Sequence, residues 1–238
     1  MNPVLIFRHS PTEGPGYFAE FLDRHGIPWR LVRIDAGDAV PSNLNGVSGL
    51  CLMGGPMSVN DALPWIEPVL ALIREAVAQD IPVIGHCLGG QLMAKALGGS
   101  VKANPVKEIG WGDVRVTDTA AARPWLGDAT DPQLAFHWHG ETFSLPGGAT
   151  RILESAHCAN QAFVLGDRHL GMQCHVEMTP ELIESWCENG ADEIAASDSP
   201  AVQAPAAIRA DMAARTARLH ALADKIYSRW IQGLRQQT

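Results

Sequence analysis

Short apolar runs alternate with stretches of helical periodicity along the first half of the chain. Val4 to Phe7, Trp29 to Ile34, Val47 to Met53 and Ile81 to Gly85 have the length and breaker-bounded form of strands. Between them, Tyr17 to His25 and Pro64 to Gln79 carry helical spacing; Gly26 stops the first, and Asp61 is a candidate N-cap for the second. A further helical pattern runs from Leu88 to Leu97. This alternation predicts an α/β fold, with a doubly wound, mostly parallel sheet and helices on both faces. The second half changes texture. Val101, Asp113 to Thr117, Leu134 to Trp138, Ile152 to Ser155, Ala162 to Leu165 and Leu170 to Cys174 read as strands, and predict an antiparallel extension of the sheet. Thr179-Pro180 has the residue types of a helix start, and Asn189-Gly190 ends that helix. In the tail, Ile208, Met212, Leu219, Leu222, Ile226, Trp230 and Leu234 recur at helical steps. That stripe either docks on the body or meets a partner. The chain is therefore divided into a body, 1–190, and a C-terminal helical extension docked on it, 191–238, with a hinge from Asp198 to Pro205.

Composition removes several classes of function. The 238 residues carry a net charge of -8 and no basic cluster, which argues against a broad phosphate-contacting face for nucleic acid. No apolar run approaches the ~18 residues of a membrane span. Met1 to Ile6 lacks the basic n-region of a signal peptide and reads as a first strand. The five cysteines are scattered, with no Cys-x-x-Cys pair, so the expectation is a reducing, cytoplasmic setting rather than a disulfide scaffold.

One cysteine stands apart. Gly85-His86-Cys87-Leu88-Gly89-Gly90-Gln91 joins an apolar strand to a helix by a tight turn with a thiol at its apex. Small flanking residues allow so sharp an elbow, and a helix N-terminus favours a thiolate. A core cysteine beside a helix start is the structural alternative, since free cysteines are commonly buried. A nucleophile also needs a base, an orienting carboxylate and oxyanion donors. His175-Val176-Glu177 supplies the first two with one intervening residue, and Met53-Gly54-Gly55-Pro56 is a strand-end turn whose N–H groups could face an oxyanion. A surface ion pair and a plain tight turn are the alternatives for these two segments.

The segments Gly-His-Cys-Leu-Gly-Gly-Gln, Met-Gly-Gly-Pro and Gly-Met-Gln-Cys-His-Val-Glu, in their order and separation, resemble the class I glutamine amidotransferases. His137 to Pro146 and Glu108-Ile109-Gly110-Trp111 resemble further segments of stand-alone members similar to the glutaminase half of GMP synthase. The resemblance covers Val4 to Trp186. It implies a Cys-His-Glu triad that releases ammonia from glutamine, or an amine from a γ-glutamyl compound, through a cysteine thioester. Carried over, Cys87 is the nucleophile, His175 the base and acid, and Glu177 the orienting carboxylate. Gly55 and Leu88 become the oxyanion donors, and Gly54, Gln91 and His139 line the substrate site. Cys174 and Val176 depart from the family's Phe and Pro. No cofactor is implied. The expected partner is a small-molecule substrate, with a separate synthetase as a further possibility; a non-catalytic regulatory protein of the same fold is another alternative, and a peptidase of the related elbow-cysteine superfamily a last one, disfavoured by Gln91 and the His175-x-Glu177 pattern. His137-x-His139 could form a metal pair, but no third ligand stands at a suitable spacing, so no metal is expected. Arg8-His9-Ser10, after the first strand, could touch an acceptor or be structural.

Overall fold

The computed structural model describes residues 1–117, 120–129 and 131–235. Ten strands form one sheet: β1 (Val4–Arg8), β2 (Trp29–Arg33), β3 (Gly49–Leu52), β4 (Val83–His86), β5 (Val101–Val116), β6 (Gln133–Phe143), β7 (Ala149–Ser155), β8 (Ala162–Leu165), β9 (His169–Met172) and β10 (Ala201–Val202). The helices are α1 (Gly16–Arg24), α2 (Ile66–Ala78), α3 (Leu88–Ala96), α4 (Arg123–Leu126), α5 (Pro180–Asn189), α6 (Ala191–Ala195), α7 (Pro205–Arg209) and α8 (Met212–Ile231).

β2, β1, β3, β4 and β9 run parallel in that order. From β9 the sheet continues through β8, β7 and β5 in antiparallel pairings, with β6 also antiparallel on β5. This is the predicted doubly wound sheet with its antiparallel extension. Side chains alternate across it. Along β1, Val4 and Ile6 enter the core shared with α1, α5 and α8, whereas Leu5 and Phe7 enter the core shared with α2 and α3.

Four local expectations change. Val101 and Asp113 to Val116 belong to one long strand, β5, which stops one residue short of Thr117. Its pairing with β6 slips between Ala103 and Glu108, where Pro105 has no N–H to give the ladder. β9 ends at Met172 rather than Cys174. Asp61 caps no helix: α2 begins at Ile66, and the Asp61 carboxylate accepts from the Ser58 N–H at 3.0 Å. The segment from Asp198 to Pro205 is pinned rather than hinged. β10 pairs with β5, and the Gln203 amide accepts from the Trp111 N–H at 2.9 Å and donates to the Trp111 carbonyl at 2.7 Å. Thr179, by contrast, caps α5 as expected, accepting from the Leu182 N–H at 3.4 Å.

Leu219, Leu222, Ile226, Tyr227 and Trp230 of α8 are buried in the same core as β1 and α1. Among the described residues no helix is long and apolar enough to cross a membrane.

α3 lies unusually close to the sheet. A Cβ on Gly89 would overlap the Leu52 carbonyl, and one on Gly90 would overlap the Met172 carbonyl. Both obstacles are backbone and cannot swing aside. Gly89→Ala or Gly90→Ala is therefore expected to destabilise the protein by about 1–3 kcal/mol or more, the usual cost of overpacking. Denaturant unfolding measures this, and wild-type stability in either variant would contradict the packing.

His9 is 3 % exposed, stacks on Trp65 with ring centroids 4.9 Å apart, and bonds the Met53 carbonyl through Nδ1 at 3.0 Å. Burial lowers its pKa from 6.5 to about 4. The folded protein thus holds His9 neutral while an unfolded chain would take up a proton. Its contribution to stability is complete above pH 6.5 and is lost as pH falls from 6.5 through about 4. His9→Phe retains an aromatic ring and cannot titrate. Its melting temperature should start lower at pH 7 and fall less steeply between pH 6.5 and 4; an unchanged slope would refute the assignment.

Candidate active site

The elbow begins with β4 and ends with α3, and Cys87 sits between them at φ 50°, ψ -106°. A non-glycine residue in this region is strained and persists only where its surroundings hold it. Here they do: a Cβ on Gly85 would overlap Gly89 itself, so the two glycines let strand and helix close on the turn. Cys87 is 7 % exposed, against 0–2 % for Cys51, Cys158, Cys174 and Cys187. It lines a cavity of about 350 Å³ at the carboxyl end of the parallel strands, shared with Gly55, Gln91, His139 and His175.

His175 arrives just past β9. Its backbone exchanges two hydrogen bonds with Phe136 of β6: the His175 N–H donates at 2.8 Å, and the Phe136 N–H donates back at 3.2 Å. The imidazole Nδ1 donates to Glu177 Oε1 at 2.6 Å. The Val176 N–H donates to the other oxygen, Oε2, at 2.9 Å, and the Glu177 carbonyl accepts from the Tyr17 N–H at 2.9 Å. Trp186 packs edge-on against the imidazole at 4.9 Å. Among the described residues the buried Nε2 makes no hydrogen bond of good geometry, and the ring interacts electrostatically with Cys87.

The electrostatics are those of a matched buried pair. Burial alone would drive His175 neutral, but the charges of Glu177 and Cys87 outweigh it and hold the imidazole well above its ordinary pKa. Burial likewise opposes the Glu177 carboxylate. His175 and His86 overcome it and hold the group at about 2. His86, beside the thiol in sequence, faces the rear of this pair. Its Nε2 lies 2.9 Å from the Tyr227 hydroxyl on α8 and 4.0 Å from Glu177 Oε2.

The other expected site residues fall as follows. Gly55 and Leu88 are neighbours: a Cβ on Gly55 would stand 2.6 Å from Leu88 Cδ2. Gln91 lines the cavity and donates to Gln173 Oε1 at 3.2 Å, while Gln173 Nε2 donates to Cys87 Sγ at 3.5 Å. Gly54 lies under the Glu13 carboxyl, which a Cβ there would overlap. His139 lines the cavity, with Nδ1 bonded to the Glu141 carbonyl at 3.0 Å. Arg8 is occupied by Asp35 in a two-point ion pair, and His9 is packed as described, so that segment is structural.

Several lining residues had no strong sequence signal: Glu13, Trp138, Glu141, Trp186 and Glu193. The loop after β1 could have pointed to Glu13, because ligands in such sheets bind beyond the carboxyl ends of strands. The fold also brings His137 and His139 a third potential ligand that their spacing did not offer. Glu108 of β5 stands opposite His139, and the three groups' ligand atoms lie within 4.8 Å of one another. The Glu108 carboxylate already accepts from the Ser155 hydroxyl at 3.0 Å and the Gln161 amide at 2.9 Å, and lies 3.0 Å from His139 Nε2. A divalent cation would have to compete with those contacts.

A thiol in a strained elbow, an imidazole oriented by a buried carboxylate, and backbone N–H groups beside an open cavity can together perform acyl transfer. Comparison with known proteins identifies the family. The family model for glutamine amidotransferase class I matches residues 19–192. The glutamine amidotransferase-like protein YfeJ of Salmonella typhimurium is 32% identical over 192 residues, covering 79% of this chain and 80% of that protein. The GMP synthase [glutamine-hydrolyzing] of Bacillus pumilus is 36% identical over 132 residues, covering 55% of this chain but only 24% of the synthase. The crystal structure of a glutamine amido transferase from Methylobacillus flagellatus superposes with a TM-score of 0.97 at 47% identity, covering 100% of this chain and 97% of that one. By sequence and fold, this chain belongs to the class I glutamine amidotransferase family.

Proposed function

We propose that the protein hydrolyses a γ-glutamyl amide bond, of glutamine or of a γ-glutamyl compound, through a thioester on Cys87. The observation that carries this reading is the buried His175–Glu177 pair beside the only cysteine that lines the cavity among the described residues. His175 holds the Cys87 proton at Nε2, and the thiolate sulfur attacks the γ-carbonyl carbon. The resulting oxyanion is met by the Gly55 and Leu88 N–H groups; each donor of this kind contributes about 3–4 kcal/mol in a hydrolase. His175 then gives its proton to the departing nitrogen, the C–N bond breaks and the thioester remains. Water, deprotonated by the same imidazole, attacks the thioester carbon and releases glutamate and the thiol. Glu177 keeps Nδ1 as the donor, which leaves Nε2 as the proton carrier. Gln91, through Gln173, holds the thiol side of the site, and His139 and Gly54 shape the cavity.

The B. pumilus match covers a quarter of a synthase, which favours a second reading in which a separate synthetase consumes the ammonia. The two readings share one active site and differ in whether the purified chain turns over alone.

A glutamine-mimicking electrophile should label Cys87 and abolish hydrolysis, because the other four cysteines are sealed in the core. Peptide mapping that found Cys51, Cys158, Cys174 or Cys187 labelled, activity lost and Cys87 untouched would overturn the assignment.

His175→Ala should lower kcat by about 10²–10⁴-fold, the usual share of general acid–base catalysis. Glu177→Gln should lose less, since the carboxylate orients the ring without carrying the proton. Steady-state kinetics with circular dichroism as the folding control distinguishes the two, and a fully active His175→Ala protein would end the triad reading.

A further inference from the structure

Among the described residues the cavity is lined by three acidic side chains, Glu13, Glu141 and Glu193, and by no lysine or arginine. They are not equivalent. Glu193 is neutralised by Lys107 at 2.6 Å and also accepts from the Trp138 indole at 2.9 Å. Among the described residues the Glu141 carboxylate accepts a neutral hydroxyl alone, that of Ser58, at 3.1 Å. The Glu13 carboxyl has no hydrogen bond or ion pair to another side chain among the described residues, and burial pushes its pKa up to about 7. Two carboxyl groups therefore face the cavity without a lysine or arginine among the described residues, and the charge that favours the Glu13 carboxylate is that of His175, which is lost when the imidazole protonates the departing nitrogen. A γ-glutamyl head carries one ammonium, which accounts for one of them.

The position of Glu13 decides what the other is for. A Cβ on Gly54 would overlap the Glu13 carboxyl and stand 3.3 Å from His175 Cε1, so the carboxyl and the imidazole border the same point. The departing nitrogen must pass His175 to receive its proton, and so leaves beside Glu13. The Trp138 and Trp186 rings line the same cavity, and indole faces attract cations. We propose that the substrate is a γ-glutamyl conjugate of an amine that bears a second, positively charged group, and that Glu13 recognises that charge. This rests on the γ-glutamyl hydrolase reading above and names its substrate class. An anionic or uncharged leaving amine leaves Glu13 unmatched, or repelled, in a half-dry site.

Three amides of similar length test the idea: γ-glutamyl-1,4-diaminobutane, γ-glutamylbutylamine and γ-glutamyl-4-aminobutanoate, whose distal groups are cationic, neutral and anionic. kcat/KM is measured for each on the purified chain, and affinity is measured by calorimetry on Cys87→Ala protein, which needs no turnover. The cationic amide should be preferred over the neutral one by on the order of tenfold or more, and the anionic amide should rank last. Glu13→Gln, with circular dichroism as control, should collapse that ranking. Equal constants for all three amides, or a preference for the anionic one, would overturn the proposal while leaving the hydrolase reading intact. An equal fall for all three in Glu13→Gln would also overturn it, by making Glu13 a general catalytic group. No turnover of any amide, no binding to Cys87→Ala and no labelling of Cys87 would overturn both.

Discussion

The buried pair of Glu177 and His175 is the interaction around which the rest of the molecule is arranged. Two charges removed from water cost several kcal/mol each unless good geometry and further hydrogen bonds compensate them. Here the compensation comes from four directions. The Val176 N–H satisfies the second carboxylate oxygen, and Phe136 of β6 fixes the His175 backbone on both sides. The Tyr17 N–H at the start of α1 takes the Glu177 carbonyl. Behind them, His86 and the Tyr227 hydroxyl complete a polar cluster within the apolar core. β6, α1, β4 and α8 are thus each fixed with respect to one carboxylate. The same low-dielectric surroundings that make the pair costly keep the His175 ring in one orientation.

The parallel half of the fold was legible because its strands are short apolar runs ended by glycine, proline or polar residues. The elbow was legible for a related reason: only small residues survive where α3 crosses Leu52 and Met172, and that leaves a pattern of glycines in the sequence. β5 was not legible as one element. Lys102, Asn104, Pro105 and Lys107 interrupt its apolar pattern, and the strand is carried across them by its pairing with β6. The order Cys87, His175, Glu177 could be read because each stands beside a strand end with a distinctive local sequence. Glu13 could not. Its side-chain direction is set by a loop path, and a lone glutamate in a loop looks the same whether it faces solvent or a cavity. The partnership of Glu108 with His139 was hidden likewise, since only strand register brings them together.

The residues beyond 190 are more than a cover. Their apolar stripe enters the core that holds β1 and α1, and β10 extends the sheet. Glu193 of α6 reaches the cavity rim and pairs there with Lys107. Tyr227 of α8 stands behind the carboxylate that orients His175. A helical segment that sequence periodicity describes only as amphipathic therefore borders the candidate site from two sides.

The pairing of β4 with β9 has a consequence for how the protein comes into being. Gly85 lies in register with Gly171, so thiol and imidazole come together across a parallel pairing whose connection holds most of the antiparallel extension. Contacts so distant along the chain form late in folding, because loop closure must precede them. Until β8 has turned into β9 and β9 has reached β4, the Cys87 thiol and the His175 imidazole stay apart. The proposed nucleophile and its proposed base therefore meet only in a chain whose sheet is already assembled.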